Sequence, residues 1–145
     1  MRRPHGDEGS TLPLIIFYGF LSLVLVLLVV AATSLYLERK RLFTAADGAA
    51  LVGAEAFDLD DVELTESGEL RPTLESKKVA QAVNDYLDGN PVGEFEQLAV
   101  NRAITEDGLS ATVQLSAYWR PPLVSLLVPE GIRIDVEAVA RSVFS

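Results

Sequence analysis

The chain has no cysteine and one histidine, His5, which lies in a short N-terminal tail. The first absence excludes a disulfide framework and thiolate chemistry. The second excludes a His-dependent catalytic triad and a multi-His metal site in any folded domain. No G-x-S-x-G, S-x-x-K, H-E-x-x-H or phosphate-binding glycine loop occurs, so the usual sequence marks of an enzyme are missing. Positive charge is also scarce. Residues 42–145 hold 18 Asp and Glu against 7 Lys and Arg. That balance gives no basic footprint for nucleic acid and no affinity for anionic lipid surfaces. The expected role is non-enzymatic, with no cofactor and no metal. Asp58, Asp60, Asp61 and Glu63 do not make a calcium loop, because Val62 and Glu63 stand where that loop needs an oxygen ligand and a Gly.

What the chain does have is an apolar run. Residues 12–37 contain no charge over 26 positions. As a helix they cover roughly 39 Å, more than the roughly 30 Å hydrocarbon core of a bilayer. Seventeen of them are Leu, Ile, Val or Phe, contributing on the order of −7 kcal/mol to insertion. A soluble domain of this size has no core wide enough to hide a helix apolar on every face. The run therefore reads as a transmembrane helix in contact with membrane lipid. A cleaved signal peptide is the competing reading, with Val30-Ala31-Ala32 as the cleavage site, but its apolar region spans only about 7–15 residues. Orientation is not set by charge: Arg2 and Arg3 precede the run, and Arg39, Lys40 and Arg41 follow it.

Helix continues past the run. Residues 42–57 lack Pro and are rich in Ala. Ala45, Ala49 and Gly53 form one row of small residues four apart; Ala46, Ala50 and Ala54 form another. Such rows allow close backbone approach. They suit either a partner helix or the chain's own sheet. Asp47 lies roughly 200° round the helix from Ala45 and is placed to meet a cation or helix N-terminus of a different neighbour, or solvent.

Residues 58–71 read as an acidic connector with or without a short strand. A second helix is expected over 74–87, with Thr73 as N-cap and Val79, Val83, Tyr86 and Leu87 on one face. Gly89-Asn90-Pro91 ends it. From Phe95 the period becomes two. Leu98, Val100 and Ile104 share a parity; Glu106-Asp107-Gly108 signals a hairpin. Leu109, Ala111, Val113, Leu115, Ala117 and Trp119 alternate, as do Ile132, Ile134, Val136, Ala138 and Ala140. Tyr118 and Trp119 suit a core edge or a ligand platform. Residues 123–128 form a short apolar stretch, either a buried crossover or a contact with bilayer or partner. The expected fold is α+β: a long N-terminal transmembrane helix continuing into a small domain with a second helix and an antiparallel sheet of three or more strands. Its parts are a tail (1–11), the span (12–37), a helix extension (38–57) and an α+β domain (58–145).

The arginine-bearing tail, Gly9-Ser10-Thr11-Leu12-Pro13-Leu14, the single span and the stretch Ala46-Asp47-Gly48-Ala49-Ala50-Leu51 together resemble the TadE/TadG-like proteins of the Tad (Flp) pilus system. The likeness covers about residues 8–57. It implies a bacterial cytoplasmic-membrane protein with its N-terminus cytoplasmic and its C-terminal domain extracytoplasmic. It also implies a minor pilin-like (pseudopilin) or assembly role, with other pilus-assembly proteins or pilin-like subunits as partners through the N-terminal helix. The helix-packing interface would be Ala45, Ala49, Gly53 and Asp47. The alternative is a membrane-tethered binding or regulatory domain of another envelope complex. Family members trimmed by a prepilin peptidase carry Gly at the cut and Glu five residues later. Gly9 and Ser10 are the corresponding pair here, but Leu14 stands where the Glu should be, so the expectation is an unprocessed anchor.

Overall fold

A computed structural model describes residues 11–57, 62–64, 66, 68, 70–90, 95–121, 124–126 and 128–142. One helix, α1, runs unbroken over Thr11–Ala54. It is followed by β1 (Val62–Leu64) and β2 (Leu70–Pro72), then α2 (Ser76–Gly89), β3 (Glu96–Ile104), β4 (Ser110–Trp119) and β5 (Ile132–Arg141). The acidic connector thus carries a small antiparallel hairpin, β1 with β2. β3, β4 and β5 form an antiparallel sheet in that order, with β4 central. The fold is α+β.

The core lies between the sheet and the two helices. The strictly alternating residues of β4 face inward: Ala111, Val113, Leu115, Ala117 and Trp119 are all buried. Their neighbours on β5 are Ile134, Val136 and Ala138. Leu42, Ala45, Ala46, Ala49, Ala50 and Ala54 of α1 close one side; Val79 and Val83 of α2 close the other, with Tyr86 and Leu87 packed at the margin. The last three turns of α1 are therefore one wall of this core.

α2 starts later than expected, and Thr73 does not cap it. The N-cap position is Glu75, which makes no side-chain capping bond. Tertiary bonds hold the entry instead. The Leu74 N–H donates to the Gly108 carbonyl at 2.8 Å. The Ser76 hydroxyl donates to the Thr105 carbonyl and accepts from the Thr105 N–H, each at 3.2 Å. The start of α2 is thereby clamped to the β3–β4 hairpin. At its end, the Asn90 N–H donates to the Tyr86 carbonyl, as the Gly89-Asn90 signal implied.

β3 breaks the expected parity. The pairing with β4 shifts between Glu96 and Ala99 and again between Val100 and Arg102. Each irregularity reverses which residues face the core. Ala103, not Ile104, is buried opposite Val113. Ile104 shares the outer face with Thr112. Val100 packs on the core, while Leu98 is exposed. Gln97 adopts a φ of 52° at the first shift.

Candidate interaction surface

The two rows of small residues on α1 point into the chain's own core. Ala45, Ala49 and Gly53 are buried against the sheet and α2, as are Ala46, Ala50 and Ala54. The contact at Gly53 is close: a Cβ there would lie 3.2 Å from Ala111 Cβ and from Val79 Cγ1, and 3.4 Å from Val83 Cγ2. Gly48 is small for a related reason, since Tyr86 lies directly across it. These glycines bring α1 and α2 together over β4. The row is occupied by the chain's own elements, so a partner helix reaches it only if the domain opens.

Asp47 lies on the opposite side and is exposed. One turn to either side of it are Phe43, 48% exposed, and Leu51, 54% exposed. Residues 43, 47 and 51 share one helix stripe by their spacing of four. This stripe continues the exposed surface of α1 and presents two large apolar side chains around one carboxylate. Sequence reading singled out Asp47 but not Phe43 or Leu51. Their i±4 spacing around Asp47 was the available signal.

Farther toward the N-terminus of α1, the domain takes hold of the apolar helix. The Trp119 indole N–H donates to the Ser34 hydroxyl at 3.2 Å. Ala31 and Leu35 pack against the core margin. Trp119 is a core-edge aromatic, 7% exposed, whose polar handle is used by α1. Arg120 closes the adjoining segment: its Nε donates to the Glu130 carbonyl at 3.1 Å and lies 3.4 Å from Glu96 Oε2. Gly131, at a φ of +77°, allows the chain to turn back beside Arg120 into β5.

At the other end, Asp107 organises the β3–β4 turn. Its carboxylate accepts the Leu109 and Ser110 N–H groups at 2.9 and 2.7 Å, and the Ser110 hydroxyl at 2.8 Å. These bonds favour the ionised form and lower its pKa from 3.8 to about 2, the Leu109 and Ser110 N–H groups contributing most. Among the described residues no group of three or more His, Cys, Asp or Glu side chains is placed to hold a metal ion. Asp58, Asp60 and Asp61 lie outside the described residues, as do Gly9 and Ser10 of the candidate processing site.

The architecture is a small α+β domain built onto the end of one long helix. The N-terminal part of that helix has a mean hydropathy of 3.0 over 18 residues, none of them buried, which suggests a single-pass membrane anchor. Residues 9–56 match the family described as "Putative Flp pilus-assembly TadE/G-like". The matched segment coincides with α1, Thr11–Ala54, so the likeness is to the N-terminal helix and covers about a third of the chain. No curated protein and no solved structure matches the chain.

Proposed function

We propose that the chain is a minor pilin-like (pseudopilin) or assembly component of a bacterial Tad/Flp-type pilus machine, non-enzymatic and anchored in the cytoplasmic membrane by α1. The observation that carries this reading is the coincidence of the TadE/G-like match with a helix that is both apolar enough to span and built into the domain core. On this reading the N-terminus is cytoplasmic, the sheet domain is extracytoplasmic, and Gly9 and Ser10 stay joined because Leu14 replaces the Glu that processing would use.

Partner subunits meet α1 on its free side. The stripe of Phe43, Asp47 and Leu51 replaces the small-residue row as the contact surface, because the row is filled by the chain's own sheet and α2. Two apolar side chains around a carboxylate suit a partner helix that supplies a cation or its own N-terminus to Asp47. The test is co-purification from native membranes. Wild type should bring down other pilus-assembly proteins, and a Phe43→Asp, Leu51→Asp double variant should lose them while keeping its melting temperature. Co-purification with an unrelated envelope complex would overturn the assignment. The intact mass of the same wild-type sample should include residues 1–9; a chain beginning at Ser10 would show processing.

A further inference from the structure

We infer that the chain touches the bilayer at a second place: Leu126, in the connection between β4 and β5, enters the boundary between headgroups and acyl chains of the membrane that α1 spans. The inference rests on reading α1 as a membrane span.

The level of that segment follows from two contacts along α1. Gly53 lies against Ala111, and Ser34 lies against Trp119. Between them α1 rises about 28 Å, and β4 rises about 27 Å over the same interval. Helix and strand therefore run side by side in opposite directions. The chain leaving β4 at Trp119 continues toward the N-terminal, apolar part of α1.

The level of the bilayer follows from burial. From residue 11 to residue 30 every position of α1 is exposed; Ala31 is the first that the domain shields. Residues 12–30 span about 28 Å as a helix, close to the roughly 30 Å hydrocarbon thickness. The membrane surface thus falls at about Ala31, one turn from Ser34 and level with the segment beyond Trp119. Tyr36 is exposed just above this plane, where aromatic residues are favoured.

The segment presents an apolar side chain at that level and holds it there. Leu126 is 80% exposed, the most exposed large apolar residue among the described residues; Val128 and Ile132 are also exposed. Backbone bonds tie its described residues together: the Val124 and Ser125 N–H groups donate to the Pro121 carbonyl, and the Val128 N–H donates to the Val124 carbonyl. Val124 packs on the core margin, so the turn is pinned on one side and Leu126 projects from the other. Continuity with the spanning helix identifies the occupant. An exposed apolar side chain at the level where a membrane helix leaves the bilayer is within reach of lipid.

The test uses the full chain in vesicles of phosphatidylcholine and phosphatidylglycerol. The absence of native cysteine allows single nitroxide labels at Val24→Cys, Leu126→Cys and Gln81→Cys. Collision with dissolved oxygen, which concentrates in lipid, is compared with collision with a water-soluble nickel chelate. Labels at 24 and 126 should favour oxygen; the label at 81, exposed on α2 near the Gly53 level, should favour nickel. A label at 126 that favours nickel while 24 favours oxygen overturns the inference and leaves the span intact. A label at 126 shielded from both reagents shows that protein, such as a second copy, covers Leu126, and also overturns it. A label at 24 that favours nickel removes the span itself, and the inference with it.

Discussion

Replacing Gly53 by Leu separates the two uses of the small-residue row. Gly53 is fully enclosed by β4 and α2, and its missing Cβ would already stand 3.2 Å from Ala111 Cβ and Val79 Cγ1. One carbon can be absorbed if these neighbours give by a few tenths of an ångström. The helix-propensity gain of about 1 kcal/mol for Ala over Gly offsets that strain, so Gly53→Ala should be close to neutral. Leu adds three further carbons where three side chains already meet. Overpacking of this kind costs about 1–3 kcal/mol. A branched side chain at the centre of the contact belongs at the upper end of that range. Subtracting a propensity gain of about 0.8 kcal/mol leaves a net loss of about 2 kcal/mol. For a folded unit of about 100 residues this lowers Tm by roughly 8–16 °C. The measurement is thermal unfolding of the purified, detergent-solubilised chain, followed by the near-ultraviolet dichroism of Trp119, the single tryptophan. A Gly53→Leu protein that melts with wild type but no longer co-purifies with its partners would refute the reasoning. The row would then face a partner, and the packing of α1 on β4 would be wrong.

Two more outcomes follow from contacts at either end of the sheet. Asp107 has its pKa depressed to about 2 in the folded chain by bonds from Leu109 and Ser110. Its contribution to stability is therefore full above the ordinary carboxylate value of 3.8 and lost as pH falls through about 2. Between these values the Tm of wild type should fall more steeply than that of Asp107→Asn; parallel curves would show that the turn does not depend on the carboxylate. Ser34→Ala removes the acceptor of the Trp119 indole N–H. It should cost about 1 kcal/mol and shift Trp119 emission, since a buried donor is left without its partner; unchanged emission would show that the indole is held by packing alone.

Much of this architecture was legible in the residues. The apolar run of 26 positions dictates a helix too hydrophobic for a small core, because nothing but lipid or a wide interior solvates every face. The alternation along β4 and β5 states which side chains turn inward, since a strand's period of two leaves no freedom once one face is covered. The Glu106-Asp107-Gly108 turn and the Gly89-Asn90 stop were equally readable, because their causes are local: a carboxylate within reach of nearby N–H groups, and a poor helix former at a helix end.

What tertiary structure decided was the partner of each face. A row such as Ala45, Ala49 and Gly53 requires close approach by another element but carries no mark of which one. Only the juxtaposition of Ala111, Val79 and Val83 assigns it to the chain's own core and leaves Phe43, Asp47 and Leu51 outside. The register shift between Val100 and Arg102 put Val100 and Ala103 on the core side together and left Ile104 outside, an outcome set by pairing with β4 and not by the composition of β3. Thr73 has the side chain of an N-cap, yet Leu74 and Ser76 are held by Gly108 and Thr105 from about thirty residues away. Ser34 and Trp119 are 85 residues apart and meet only because α1 and β4 run side by side. Local sequence specifies period and propensity. Which surfaces cover one another depends on contacts between distant parts of the chain, and those exist only once the whole domain has packed.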